Sequence, residues 1–353
     1  MASEKLVTII CPSYGHERFI QAALESFASQ SHSNLEILVV DDCSPDDSNK
    51  IIESIRDSRL RLLKNRYNAG VSNTLNRALA EASGEVVCIC ASDDRMNPDH
   101  VERVLDAFDD GSGIGAVYAK LEYVDENDRS IGYASPSEGG RFSLLRDLFF
   151  DGNMNLAAPG SSFKRDVFER IGTFKPALIQ TQDYDFNVRV LLNFDLKILA
   201  EPTIKYRRMS DGSNLSGRGR WIRECYRREF EAVIDNFLSI DSIDLYRNIF
   251  GLDQGASMPC DVEDIPFMLA KAAVESENGE LVDWGFCKFR QILGTVENWD
   301  SLFDKYHISF QDLVGIYRKK YSIDTKKKPS FKELTKKAIK KIGSSRLRVG
   351  KYS

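Results

Sequence analysis

No stretch of this sequence approaches the ~18–20 unbroken apolar residues of a membrane-spanning helix, so nothing in it reads as a span. Histidine is scarce, with four residues scattered along the chain. The seven cysteines, at 11, 43, 88, 90, 225, 260 and 287, are odd in number and form no CxxC. Those absences argue against a zinc site and for reduced thiols in a cytosolic setting. The opening "MASEKLVTII" has neither a charged leader nor an apolar stretch with a small-residue cleavage site, so export is not expected. Glycine-rich phosphate loops are missing too. The first strand-to-helix turn reads "CPSYGHERF", without GxGxxG and without the glycine-rich, basic loop that nucleotidyl transfer requires. No internal repeat interrupts the chain.

What remains is the composition of a soluble globular protein, 42% hydrophobic and 29% charged over 353 residues, enough for one large domain or two ordinary ones. The net charge of −5 conceals a split. From Lys326 to the end there are eleven Lys/Arg and one acid, Glu333, giving +10; residues 1–325 carry −15. A nucleic-acid enzyme spreads basic charge over its working face. Here the body is acidic and only the end is basic, so nucleic acid is not an expected partner.

The first hundred residues alternate. "LVTIICPSY", "LEILVVDD", "LRLLKN" and "EVVCICASDD" read as strands, the first stopping at Pro12. "FIQAALESFASQ", "DDSNKIIESIRD" and "GVSNTLNRALAEASG" carry helical periodicity between them. That order predicts βαβ units and a parallel sheet, whose ligands bind beyond the carboxyl ends of the strands. The polar clusters "CPSYGHE", "VDDCSPDD" and "ASDDR" all fall there. From about 112 the pattern is mixed: a hairpin turning at Asn127–Asp128, helices over "FKRDVFERIGTF" and "DYDFNVRVLLNF", and a strand pair in "LKILAEPTIKYRRM". After Gly219 the chain turns helical, with Trp221, Ile222, Cys225, Tyr226, Phe230, Val233, Ile234 and Phe237 on one face.

Asp93 and Asp94 pose a physical question, since adjacent carboxylates at a strand tip repel unless a cation holds them. A surface loop capping the helix that starts near Asn97–Pro98 is one answer. A divalent cation shared with a substrate is another. The ordered stretches "PSYGHERFIQAALESFASQ", "LEILVVDDCSPDDS", "NAGVSNTLNRALAEASGEVVCICASDD", "FERIGTFKPALIQTQDYDFNVRV" and "YRRMSDGSNLS", covering about residues 5 to 216, resemble the family 2 glycosyltransferases. These are inverting, nucleotide-sugar-dependent enzymes of the GT-A fold. Any one stretch is weak, whereas five in order are specific.

The resemblance implies roles. Asp94 would be the metal ligand, for Mn²⁺ or Mg²⁺, with Asp93 on the ribose or sharing the ion. A hard cation bridging carboxylates and diphosphate would stabilise the departing charge. Asp42 would accept from a uracil-type N–H while Pro12 to Tyr14 pack on base and ribose. Against this, Ser44 or Asp46 capping a helix explains the acids there without a ligand, and Tyr14 could be a core aromatic. Asp183 would be the base that takes the acceptor hydroxyl's proton; the plainer reading of Asp185, two residues on, and equally of Asp183, is a solvent-facing acid at an ordinary helix start. The sequence departs from the family in Ala91 at the first place of the acidic motif, Gln182 for a glutamate, and Met209 for a histidine. Arg207, Arg208 and Ser213 are candidates for phosphate contact, with a structural or surface role as the plainer reading of each arginine.

The expected architecture is an α/β GT-A domain over 1–216, a helical region over 217–325 and a basic tail over 326–353. The expected reaction is transfer from a nucleotide diphosphate sugar, UDP-linked first, to a hydroxyl of a surface-polysaccharide or lipid-linked glycan. A nucleotidyltransferase, or a glycan-binding protein that has lost turnover, are the rivals. In the tail, Phe331, Leu334, Ala338, Ile339 and Ile342 form an apolar stripe among lysines, which can lie on an anionic membrane surface. The expected location is therefore cytoplasmic, peripheral to the membrane, with a disordered solvated end as the alternative. Each basic residue near such a surface contributes about 1 kcal/mol. Ending the chain at Thr325 should release the protein from anionic vesicles at low salt in a sedimentation assay; equal binding of both chains would assign the tail another role.

Overall fold

The computed structural model describes residues 5–295 except 111–112, 135–138, 155, 211–218, 252–258 and 260, together with six separate positions between 309 and 318. The chain divides into two compact units, Met1–Gly294 and Thr295–Ser353. The tail over 326–353 and its amphipathic stripe lie outside the described residues, as does Ser213.

The first unit opens as β1 (Val7–Ser13), α1 (Ile20–Ala28), β2 (Leu35–Asp41), α2 (Ser48–Ser54), β3 (Leu60–Lys64), α3 (Val71–Glu81) and β4 (Val86–Ile89). It continues through β5 (Arg95–Met96), α4 (His100–Asp109), β6 (Ile114–Val124), β7 (Ser130–Ala134), α5 (Arg141–Asp151), β8 (Ser162–Lys164), α6 (Arg165–Ile171), α7 (Gln182–Asn193) and β9 (Asp195–Arg207). Among the described residues four α-helices follow: α8 (Arg220–Ile234), α9 (Ile243–Phe250), α10 (Ile265–Glu275) and α11 (Gly279–Thr295). Nine strands make one sheet in the order β3-β2-β1-β4-β8-β6-β9-β5, with β7 paired to β6. Pairing is parallel from β3 to β4 and again between β6 and β9. The expected α/β architecture with a helical C-terminal region is what the chain forms.

The continuous apolar runs of β1 and β2 follow from helices covering both faces of the sheet. α1 shows the matching pattern: Ile20, Ala23, Leu24 and Phe27, at helical spacing, are wholly buried in the same cluster as Val7, Ile9, Ile37 and Val39. Cys88 and Cys90 belong to that cluster. Burial pushes the Cys88 thiol up to about 12 and raises Cys11 and Cys90 as well, so none of the three is a ready nucleophile.

Three expectations change. The first strand runs one residue past Pro12 to Ser13, which lies level with Asp41 in register. "LKILAEPTIKYRRM" is one strand, β9, and not a pair. The register against β6 jumps between Ile198 and Pro202, and a proline without an N–H is tolerated at such an irregularity. The stripe predicted on α8 is only half buried: Phe230, Val233 and Ile234 are inside, and Trp221 is exposed.

The later helices share a second, aromatic core with α5. Phe149 meets Phe237, Phe250 and Trp284 edge-on at centroid distances of 5.0, 5.1 and 6.1 Å. Among the described residues, no helix is long and apolar enough to cross a membrane.

Gly160 locks β4 to its neighbours, donating to Ile89 O at 2.7 Å with φ +74°. A Cβ there would stand 2.3 Å from Ile204 Cγ1 and 2.9 Å from Ala119 Cβ. Gly160→Ala should therefore cost about 2–4 kcal/mol in urea unfolding, since both backbone and packing must give; an unchanged midpoint would contradict this.

Candidate active site

The carboxyl ends of β1, β2 and β4 meet at one edge of the sheet. Asp42 N donates to Ser13 O at 2.8 Å and Ser92 N to Pro12 O at 3.2 Å, so the three polar clusters form one rim. Tyr14 is 48% exposed on that rim and is not a core aromatic. His16 stands beside it, its Nδ1 2.7 Å from Ser92 Oγ and 3.8 Å from Asp93 Oδ1.

The two adjacent acids have different surroundings. Asp94 is fully buried, its Oδ1 accepting from Arg207 N at 2.8 Å and its Oδ2 without a partner. Burial, and then the charge of Asp93, hold its carboxyl well above the usual range. Asp93 retains a solvent edge, its side chain 12% exposed. Arg207 is not a phosphate-facing residue. It is 2% exposed, donates through Nε to Asp93 O at 3.0 Å and through its terminal nitrogens to Asp125 O and Asp128 Oδ1, and lies 4.4 Å above the Phe19 ring. The guanidinium is consumed in tying the acid tip to the β6–β7 turn, which is the plainer of its two expected roles. Arg208 packs on Tyr123 and Tyr206.

Asp41 and Asp42 both serve the loops around them. Asp41 accepts from Ser44 N at 3.0 Å and Asn49 Nδ2 at 2.8 Å. Asp42 accepts from Asn65 Nδ2, Ala69 N and Gly70 N at 2.7, 2.8 and 2.9 Å, which fixes the entry to α3. Neither Ser44 nor Asp46 caps α2: its N-cap is Asp47, which makes no side-chain capping bond, while Asp46 holds the turn just before it by accepting from Ser48 N at 3.1 Å and Ser48 Oγ at 2.6 Å.

Asp183 opens α7 with its Oδ1 accepting from Tyr184 N at 2.9 Å. No cation is paired with it among the described residues, and burial pushes its carboxyl up to about 6. Asp185 is the opposite case and corrects the expectation of a solvent-facing acid. It is wholly buried, held by Lys175 at 2.6 Å, Arg189 at 2.8 Å and Asn236 Nδ2 at 2.8 Å. One turn of helix thus carries an uncompensated carboxyl and a fully compensated one.

Two contributors carried no sequence signal. Glu229 of α8 accepts from Ile179 N, Gln180 N, Thr181 N and Thr181 Oγ1 at 2.9–3.0 Å, clamping the segment that leads into Asp183. His16 sits within a quoted motif, yet its approach to Asp93 depends on the sheet register. Only the fold brings either residue to the site.

Comparison with known proteins bears on this geometry. Residues 8–172 match the model of the family described as Glycosyl transferase family 2. A Haemophilus influenzae protein described as an uncharacterized glycosyltransferase is 28% identical over 263 residues, 71% of this chain and 87% of that one. An Escherichia coli protein, UDP-Glc:alpha-D-GlcNAc-diphosphoundecaprenol beta-1,3-glucosyltransferase WfgD, is 32% identical over 142 residues, 40% of this chain and 56% of that one. Among solved structures, Staphylococcus aureus TarS 1-349 in complex with UDP-GlcNAc superposes with a TM-score of 0.53 at 19% identity, over 80% of this chain and 88% of that one.

The contrast between the two α7 acids has opposite consequences for stability. The folded Asp183 titrates near 6 rather than near its ordinary 3.8, so between those values the folded state binds more protons than the unfolded one. Its charge therefore costs stability as pH rises from about 4 to about 6, and fully above. Asp183→Asn should raise unfolding free energy on the order of 2 kcal/mol at pH 7 and change it little below pH 4. Asp185→Ala should lower it by about 3 kcal/mol, because Lys175 and Arg189 lose their partner. Chemical denaturation at both pH values checks the signs; destabilisation by both variants would contradict the account of Asp183.

Proposed function

We propose, from the match of residues 8–172 to the family 2 glycosyltransferase model, that this chain moves a sugar from a nucleoside diphosphate donor, UDP-linked first, to a hydroxyl of a surface-polysaccharide or lipid-linked glycan. Transfer is a single displacement that inverts C1. The observation that carries the reading is the Asp183 carboxyl, raised to about 6 with no paired cation, at the start of α7. A base with that affinity is ionised at neutral pH and still able to take a proton from an attacking hydroxyl. A carboxylate neutralised like Asp185 could not.

The donor lies on the rim formed by Pro12, Tyr14, Asp42 and Asp93. The exposed Tyr14 ring is free to stack on a base. Asp42 is already engaged by three donors, yet a carboxylate has about four lone-pair sites, so one stays available to a uracil-type N–H. The relatives support a UDP-sugar donor: WfgD is named for UDP-Glc, and TarS was solved with UDP-GlcNAc.

A divalent cation, Mn²⁺ or Mg²⁺, fits the acid tip as a substrate-borne ion. Asp93 offers a carboxylate edge to solvent and Asp94 Oδ2 has no partner. Among the described residues no group of three or more His, Cys, Asp or Glu is arranged for a metal, so diphosphate and water would complete the shell. What a bound ion supplies is charge compensation on the departing diphosphate. Asp93 carries the solvent-side edge of the tip, with Asp94 fully buried beside it. A peripheral membrane role for residues 326–353 rests on the charge split and on the apolar stripe among the lysines, and suits a lipid-linked acceptor.

Asp93→Asn should cost transfer about two orders of magnitude or more and remove the divalent-cation dependence of UDP binding by calorimetry. Asp183→Asn should cost transfer as heavily while leaving UDP affinity within about threefold, since a base acts in the transition state. The wild-type kcat/KM should fall on the acid side of about pH 6, where Asp183 takes up its proton. Metal-stimulated UDP binding that survives in Asp93→Asn would contradict the assignment of the tip.

A further inference from the structure

A cleft of about 540 Å³ opens between the end of α5, the middle of α8 and the turn before α11. One wall is aromatic. Tyr226 and Phe230 both line it, stacked on each other at 5.8 Å, with Phe230 buried behind the partly exposed Tyr226. The Tyr226 hydroxyl donates to Gly152 O, which fixes the ring's orientation. Gly152 keeps the space open. It ends α5 at φ +66°, and a Cβ there would lie 3.2–3.4 Å from Tyr226 Oη, Asn278 Nδ2 and Phe230 Cε2. The charged part of the lining is of one sign: Asp151, Glu277 and Glu280 line the cleft with Asn278, and no Lys, Arg or His is among the lining residues. Arg227 is within electrostatic reach of Glu280 but is held by Glu224 at 3.0 Å.

The cleft adjoins the assigned base. Tyr184, next in the chain after Asp183, meets the Tyr226 ring edge-on at 5.7 Å. Burial first, and then Tyr184, Glu280 and Asp183, raise the Tyr226 phenol, which places that carboxylate and the cleft rim in one electrostatic neighbourhood.

We propose that this cleft is the acceptor subsite and that it selects an uncharged sugar: a neutral pyranose lying against Tyr226, with hydroxyls donating to Glu280 and accepting from Asn278 Nδ2. The proposal rests on the reading of Asp183 as the base. Its chemistry follows from the walls. Pyranose C–H bonds pack on an aromatic face, and the ring's hydroxyls need acceptors, which the carboxylates supply. The same three carboxylates, with no cation in the lining, repel a phosphate or uronate, so discrimination arises from a repulsive element as much as from fit. A neutral acceptor unit within an acidic lining therefore distinguishes this chain's subsite from one built for a polyanion.

Ligand-observed saturation-transfer NMR on the full chain tests this with three probes: methyl β-D-glucopyranoside, methyl N-acetyl-β-D-glucosaminide and methyl β-D-glucuronide. At least one neutral glycoside should receive saturation, and the glucuronide at least about threefold less. Asn278→Ala, on the turn before α11, and Glu280→Ala, in its first turn, should each weaken neutral binding roughly tenfold, as expected for a lost hydrogen bond to an ordered polar group. Glu280→Lys should narrow the gap to the glucuronide. Saturation that ignores both cleft variants, its absence for every neutral probe, or a preference for the glucuronide would overturn the subsite. Transfer that survives in Asp183→Asn would instead overturn the base, while the cleft would still be judged by its own variants.

Discussion

Arg207 is where the sheet, the acid tip and the β6–β7 turn are joined. It is the last residue of β9, so β9 decides where its guanidinium lies. Its backbone N–H satisfies Asp94, its Nε satisfies the Asp93 carbonyl, and its terminal nitrogens reach Asp125 and Asp128. A guanidinium presents five donors in a rigid fork, and burying it is tolerable only when they are matched. The guanidinium ties the Asp93 backbone to the β6–β7 turn, and Asp93 keeps a solvent edge while Asp94 is sealed. The rim residues of β1 and β2 are then aligned by parallel register, with Ser13 opposite Asp41.

The second principle of this site is that environment, not identity, assigns the carboxylates their work. Asp41 and Asp42 spend their oxygens on local backbone and amide donors. Asp185 spends its charge on Lys175 and Arg189. Asp183 is partly buried yet given no cation, which leaves it able to hold or release a proton near neutrality. The later helices take part in this arrangement, because Glu229 of α8 holds the three backbone N–H groups ahead of α7. Asp183 is therefore positioned from outside the α/β sheet, and the Tyr226–Phe230 cleft is built from the same helix α8.

Much of this was legible in the sequence, for a physical reason. Strands buried on both faces must be continuously apolar, and their polar tips must fall at the carboxyl edge, so "VVDD" and "CASDD" announce both the fold and the rim. Asp183 was legible only through resemblance, since a lone acid at a helix start has no pattern of its own. What stayed hidden depends on long-range pairing. That β9 is a single strand is revealed only by its register with the partner β6, irregular at Pro202. The burial of Asp185 required knowing that Lys175 and Asn236 converge on it, and the structural use of Arg207 required knowing that Asp125 and Asp128 lie across from it. Periodicity speaks of faces; it is silent on which charges meet.

The central claim is that one carboxylate, Asp183, deprotonates an acceptor that attacks C1 directly, with no covalent sugar–protein intermediate. Stereochemistry tests this most directly. With an α-linked UDP-sugar and a soluble glycan acceptor, the anomeric proton of the product followed by NMR during transfer should show the β configuration. An α-linked product would require two displacements and a second nucleophile, and would contradict the account.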